Sequence, residues 1–347
     1  MRALVVDAFG APPEVRDVPD PVCPADGVVL DVRATGLCRS DWHGWAGHDP
    51  DIALPHVPGH EFAGVVAEVG PNVTRVRAGD RVTVPFVCAC GVCLTCRSGA
   101  PQVCEDQYQP GFTGWGSFAE QVAVPRADFN VVPLPADLDF ATAAGLGCRF
   151  ATAYRAVTAH GRVAAGNWVA VFGCGGVGLA ATMISAARGA KVVAVDVSPA
   201  ALDFAVRLGA TAVVDAGSSD PVEAITSITG GGAHVAIDAL GGAATSRAAV
   251  ECLRPRGRQV QVGLMVGDDA VSPMPMARVL ARELEIHGSH GMAAADYPAM
   301  LAEIADGRLN PAALVAGRIT LHDLAGPDGA LATMGERPPT GTLVVIF

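Results

Sequence analysis

Two hydrophobic patterns divide the chain near residue 150. Before it, short apolar runs at 28–33, 62–69 and 81–85 alternate with polar positions and are cut by glycine and proline turns. Period-two alternation with valine enrichment predicts an irregular all-β body. From about 151, apolar runs at 168–172, 192–195, 212–214, 235–237, 259–262 and 284–287 follow one another. Alanine-rich stretches of helical length, such as 177–188 and 200–208, lie between the first five. Six buried strands with such crossovers predict a parallel, doubly wound sheet. Ser198-Pro199 supplies an N-cap and first-turn proline for the second helix. After about 288, one helix is predicted over 294–306 and a last strand over 341–347. That tail is too short for a domain of its own and is expected to complete the first one.

Composition narrows the class. The 347 residues are too many for one ordinary core, so two domains are expected. Half the residues are hydrophobic and 17% are charged, which excludes a disordered chain. A formal net charge of −11 disfavours a nucleic-acid partner. Met1 runs directly into Arg2-Ala3-Leu4-Val5-Val6-Asp7, where a charge comes too early for a signal-peptide core. No apolar segment is long enough for a membrane span, so a soluble cytoplasmic protein is expected. In a reducing compartment, four of the ten cysteines crowded into fifteen residues point to metal rather than disulfides.

The first crossover contains Gly173-Cys174-Gly175-Gly176-Val177-Gly178. Glycines after a strand permit a tight turn and close backbone approach, and the helix that follows offers free N–H groups to a pyrophosphate. Asp196 closes the next predicted strand, 23 residues after Gly173. A carboxylate there accepts hydrogen bonds from ribose hydroxyls and repels a 2′-phosphate, which predicts NAD over NADP. The first cation downstream of Asp196 is Arg207.

Cys90, Cys93, Cys96 and Cys104 have the spacing C-x₂-C-x₂-C-x₇-C. Four thiolates in one lobe suit a closed, structural tetrahedral zinc. An iron–sulfur cluster is the main rival, although ferredoxin spacing brings the fourth cysteine closer and follows it with proline. Cys88 stands beside the group as a spectator or a competing ligand. Three further segments carry ligand types far apart: Cys38-Arg39-Ser40-Asp41-Trp42-His43, His60-Glu61, and Cys148-Arg149-Phe150-Ala151-Thr152. Singly, each cysteine reads equally well as a small buried hydrophobe.

In this order the segments resemble the zinc-containing alcohol dehydrogenases of the medium-chain dehydrogenase/reductase family, over essentially the whole chain. The resemblance implies a Rossmann NAD-binding domain at 151–287. It is inserted in a GroES-like catalytic domain of 1–150 that is completed by 288–347. It implies two zinc ions per chain, with Cys38, His60 and Cys148 holding the catalytic one. Glu61 is then a carboxylate close to the metal, and Asp41 orients His60. Arg39 meets the pyrophosphate, and Thr152 and Val177 pack on the nicotinamide. Ser40 and His43 form a proton relay through a nicotinamide-ribose hydroxyl. Phe86 lines the substrate pocket, with Trp42, Trp45, Phe112 and Trp115 as candidate neighbours. An aromatic pocket favours medium-sized apolar or aromatic alcohols. Polyol, amino-alcohol and formaldehyde-processing dehydrogenases of the same family remain open, as does a zinc- and nucleotide-binding redox sensor. A cytoplasmic homotetramer acting on a small alcohol or carbonyl compound is expected. Two departures stand out. Ala201 occupies the region where relatives carry a cation, and Cys174 lies inside the glycine loop.

Overall fold

A computed structural model describes residues 1–347, and the chain separates into two compact units. The first comprises residues 1–151, 291–299 and 315–347, and the second residues 152–290 and 300–314.

The first unit is built on a seven-stranded sheet whose central member is the long strand Val28–Leu37. Its apolar positions are buried almost throughout, because it is paired on both edges. On one edge runs Glu61–Val69, antiparallel, with Gly36 opposite Glu61. On the other, Thr342–Ile346 pairs with its second half and Gln121–Val124 with its first. The C-terminal strand thus lies in the same sheet as the N-terminal ones. The register has a consequence for chemistry. Cys38 follows the end of one strand and His60 precedes the start of its neighbour, so two residues far apart in sequence emerge at the same end of the sheet.

The second unit holds six parallel strands in the spatial order Ala212–Asp215, Lys191–Asp196, Trp168–Phe172, Ala233–Asp238, Leu253–Gln261, Glu285–Gly288. Numbered along the chain this is 3-2-1-4-5-6, the doubly wound order with its switch point after the first strand. Every crossover returns to the sheet through helix, and alanines and valines such as Ala170, Val193 and Ala236 fill its core with no exposure at all. The helix Pro199–Arg207 starts where the sequence predicts, with the Ser198 hydroxyl accepting from Ala201 N.

Past the sheet the chain differs from the single helix expected over 294–306. A short 3₁₀ turn, Ala294–Asp296, precedes the helix Tyr297–Ala305. Residues 300–314 group with the second unit rather than with the tail. The cause is polar as well as apolar: Glu303 accepts from Tyr154 Oη at 2.9 Å and from Arg188 Nη2 at 3.0 Å. No helix is long and apolar enough to cross a membrane.

Candidate active site and metal centres

The residue after the central strand, Cys38, is the N-cap of the short helix Arg39–Trp45. Asp41 sits in that helix's first turn and folds back, accepting from Cys38 N at 2.8 Å. Its other oxygen accepts from Gly59 N at 3.2 Å and lies 2.8 Å from His60 Nδ1. Asp41 and His60 are both fully buried. A buried carboxylate cannot serve as a donor while ionised, so the Nδ1 hydrogen belongs to His60. The Nε2 lone pair is then left as a ligand, and it has no partner in the protein.

Cys148 arrives from a third element. It lies on a π-turn, Leu146–Phe150, of the kind that marks functional sites in helices. The turn is pinned from two sides. Phe86 N donates to Gly147 O at 3.0 Å, and the fully buried Tyr297 hydroxyl donates to Leu146 O at 3.0 Å. The ligand atoms of Cys38, His60, Glu61 and Cys148 all lie within 4.8 Å of one another. A hydrogen bond from Cys148, then the Arg149 charge, holds the Cys38 thiol well below its usual range against the opposing effect of burial. Its partner Cys148 is pushed up by the same bond and by burial. A cation between the two sulfurs would let both ionise and relieve the cost of burying them as thiols.

Sequence reasoning passed over Arg149. It is buried and grips Glu61: its backbone N–H reaches Oε1 at 2.7 Å, its Nε reaches both oxygens, and its Nη2 reaches Oε2. Burial raises the Glu61 carboxyl, and the guanidinium opposes it. Removing one partner of such a buried pair costs about 3–5 kcal/mol. The approach is close, for a Cβ on Gly36 would stand 2.7 Å from Glu61 Oε2. The motif Cys148-Arg149 was visible. Its partner could be found only once Glu61 was known to face it.

The second centre is the cysteine lobe. Cys90 Sγ lies 3.9 Å from Cys96 Sγ, and Cys93 Sγ 3.8 Å from Cys104 Sγ. Four sulfurs about 2.3 Å from one tetrahedral ion stand about 3.8 Å apart. The same spacing is far too long for a disulfide and leaves no room for a cluster with its own sulfides. Backbone N–H groups of Val92 and Cys93 point at Cys90 Sγ and draw its pKa down to about 6. Cys88 stays outside: it is fully buried, and burial pushes its thiol up to about 12. Both donor sets thus fit a zinc ion, one with four thiolates and one with two thiolates, an imidazole and a neutralised carboxylate.

The glycine loop behaves as a dinucleotide turn. Gly173 has φ +87°, Gly175 has open space where a Cβ would be, and a Cβ on Gly178 would lie 1.7 Å from Gly173 O. The three glycines thus serve the turn, the approach of a ligand and the strand–helix packing in that order. The helix Gly176–Ala187 has no side-chain cap, so its first N–H groups are free for an anion. Asp196 is held by Cys174 N at 2.6 Å and Ser198 N at 2.9 Å, at the end of the adjacent strand. Val177 lies in that helix's first turn. Thr152 is buried with an unpartnered Oγ1. Cys174 is buried too, and burial pushes its thiol up to about 12, which disfavours a reactive thiolate.

Comparison with known proteins agrees with this geometry. Residues 24–136 match the alcohol dehydrogenase GroES-like domain and residues 176–306 the zinc-binding dehydrogenase domain. An alcohol dehydrogenase of Geobacillus stearothermophilus is 36% identical over 291 residues, 83% of this chain and 84% of its own. The chain belongs to the zinc-dependent alcohol dehydrogenases of the medium-chain family. Among solved structures, the Thermus sp. ATN1 alcohol dehydrogenase superposes with a TM-score of 0.89 at 32% identity, covering 100% and 99% of the two chains. The benzyl alcohol dehydrogenase of Acinetobacter calcoaceticus gives 0.90 at 25% identity, with the same coverage.

The aromatic candidates divide. Phe86 and Phe112 stand beside His60, with ring centroids 6.3 and 4.9 Å from the imidazole. Trp45 is packed on the Leu4, Leu37 and Phe118 core, and its Nε1 donates to Ala11 O at 2.7 Å. Trp115 is on the surface, bonded to Pro55 O. Trp42 is packed against Gly335, with Arg39 over its ring and the rings of His43 and His48 in T-shaped contact with it.

The Asp41→Asn change tests the orienting role. An amide in place of the carboxylate presents N–H groups or a weaker acceptor to His60. Zinc affinity at this centre is expected to fall about 10–100-fold, with the cysteine lobe unaffected. Competition with a chromophoric chelator should then strip one ion early and the other late. Equal retention of both by the variant would remove Asp41 from the ligand set's support.

Proposed function

We propose that the chain catalyses the reversible oxidation of a primary or secondary alcohol by NAD to an aldehyde or ketone, using two zinc ions, one catalytic and one structural. The observation that carries this reading is the buried, unpartnered Nε2 of His60, converging with the thiols of Cys38 and Cys148. A structural site would be closed by a fourth strong ligand, whereas here the fourth group, Glu61, is engaged by Arg149. When bound, the ion supplies Lewis acidity that lowers an alcohol's pKa, and the nicotinamide supplies a hydride acceptor.

The chain's own residues do the rest. Asp41 fixes the tautomer of His60. Arg149 keeps Glu61 neutralised and turned to one side. Gly173, Gly175, Gly176 and Gly178 shape the pyrophosphate turn, Asp196 receives the adenosine ribose, and Arg39, Thr152 and Val177 complete the cofactor contacts. Ser40, half-buried in the first turn of the Arg39–Trp45 helix, and His43, on its last turn, carry the released proton outward. Burial, then the charges of Arg39 and His48, bring His43 down to about 4, so it is neutral and able to accept a proton at working pH. The first unit is read as the catalytic domain and the second as the NAD domain. The likeness to a benzyl alcohol dehydrogenase and the rings of Phe86 and Phe112 favour aromatic or medium-sized apolar alcohols. The enzyme is read as a cytoplasmic homotetramer.

Four measurements test this. NADH formation across primary, secondary, aromatic and polyol alcohols should be fastest with benzyl-type substrates, and kcat/KM should favour NAD over NADP. A polyol or threonine as the best substrate would move the assignment to a neighbouring branch, and an NADP preference would overturn the role of Asp196. The His43→Gln variant should oxidise alcohol about 100-fold more slowly near neutral pH and recover part of the loss at high pH; an unchanged pH–rate profile removes His43 from the path. Light scattering should give four times the chain mass of 35.3 kDa, and a monomer mass refutes the tetramer.

A further inference from the structure

The Arg39–Trp45 helix ends in a way that pairs two histidines. Ala46 is its C-cap, and Gly47 follows with φ +81°. His48 N donates to His43 O at 2.9 Å and Gly47 N to Gly44 O at 3.1 Å. These two bonds, with a left-handed glycine between them, form a Schellman motif, which sets the residue after the glycine beside the one five positions earlier. In most such motifs the two side chains make an apolar contact. Here both are imidazoles, and their Nδ1 atoms are 2.9 Å apart.

Two Nδ1 atoms at that distance cannot both carry a hydrogen, so one donates and the other accepts. The ring positions are over-determined. The backbone bond fixes both Cα atoms, and Trp42 meets both rings in T-shaped contacts, with centroids 4.9 and 5.5 Å away. Trp42 in turn is confined, since a Cβ on Gly335 would stand 2.6 Å from its ring. His43 is half-buried, whereas His48 is exposed.

We propose that His48 is the outer station of the proton path, receiving at Nδ1 the proton that His43 passes on. The inference rests on the dehydrogenase reading and deepens it. Each alcohol oxidised releases one proton. It enters His43 at Nε2, and the hydrogen already on His43 Nδ1 crosses to His48 Nδ1. His48 then loses its Nε2 hydrogen to water or buffer, and a return of both rings to their starting tautomers completes the cycle with no other reactant. The charged groups acting on His43 are Arg39, His48 and Cys38. Burial and the Arg39 charge make it a poor place for a cation to rest, and the exposed ring lies within hydrogen-bond reach of its Nδ1. His48 acts through His43 and is a positioning and transfer group, without contact to the substrate.

The test uses the zinc-loaded enzyme with its best alcohol and NAD. His48→Ala and His48→Gln keep the backbone bond, so the loop survives, and melting temperature and zinc content verify this. Near pH 7, kcat for oxidation should fall about tenfold, below the ~100-fold that a group working directly on the reacting proton contributes. The loss should vanish near pH 10, where hydroxide takes the proton from His43 directly, and added imidazole should restore the rate of His48→Ala at neutral pH. KM for NAD should not move. A uniform loss at every pH with no response to imidazole, or no loss at all, overturns the role of His48 while leaving the dehydrogenase intact. Absence of turnover by the unaltered enzyme with every alcohol class overturns the dehydrogenase reading and the relay with it.

Discussion

One buried carboxylate organises the candidate active site. Asp41 is completely enclosed, and its charge is met by Cys38 N, Gly59 N and the His60 ring. Those three donors belong to two chain segments that the antiparallel register brings together at one end of the sheet. A buried charge without such partners is strongly destabilising, so the segments are held together by the need to satisfy it. The same contacts choose the tautomer that leaves His60 Nε2 as a ligand. Folding and metal binding are therefore two readings of one constraint. A sheet that registers differently would strand the charge as well as disperse the ligands.

The second ion site follows a different logic. Its four sulfurs come from one short stretch, and backbone N–H groups aimed at Cys90 and Cys93 favour their thiolates through local contacts alone. Such a lobe is local and closed. The catalytic set is distributed over three elements, with its fourth group restrained by an internal cation. That contrast explains why the cysteine lobe was legible from spacing alone, while Cys38, His60 and Cys148 needed the likeness to a known family to be seen as a set.

Legibility in the rest of the chain has the same cause. The six strands of the second unit followed from local apolar runs and crossovers, and the glycine positions found distinct geometric reasons. Arg149 was overlooked because nothing in Cys148-Arg149 announces that Glu61, 88 residues earlier, faces it. Trp45 was expected near the substrate because it lies close to Cys38 in sequence. A helix turns its faces every few residues, however, and this one points Trp45 into the Leu4–Leu37 core. Residues 300–314 were grouped with the tail by position, although Glu303 bonds Tyr154 and Arg188. Contacts between distant segments decide each of these cases, and no local pattern encodes them.

His48 is the instructive middle case. Its pairing with His43 is local, and the glycine between them states the rule that joins them: a residue after a left-handed C′ glycine lies against the third residue from the helix end. A sequence reading that asks only which residue types carry chemistry stops at His43. One that also asks where the helix ends, and what its terminal glycine must do, arrives at the second imidazole. The same helix presents Cys38 at its first residue boundary, Asp41 in its first turn and the histidine pair at its last. The candidate ligand Cys38, the carboxylate that meets His60 and the paired histidines are thereby spaced along about two turns of one short element. That economy is available because helix termini are where backbone groups and side chains must meet to satisfy one another.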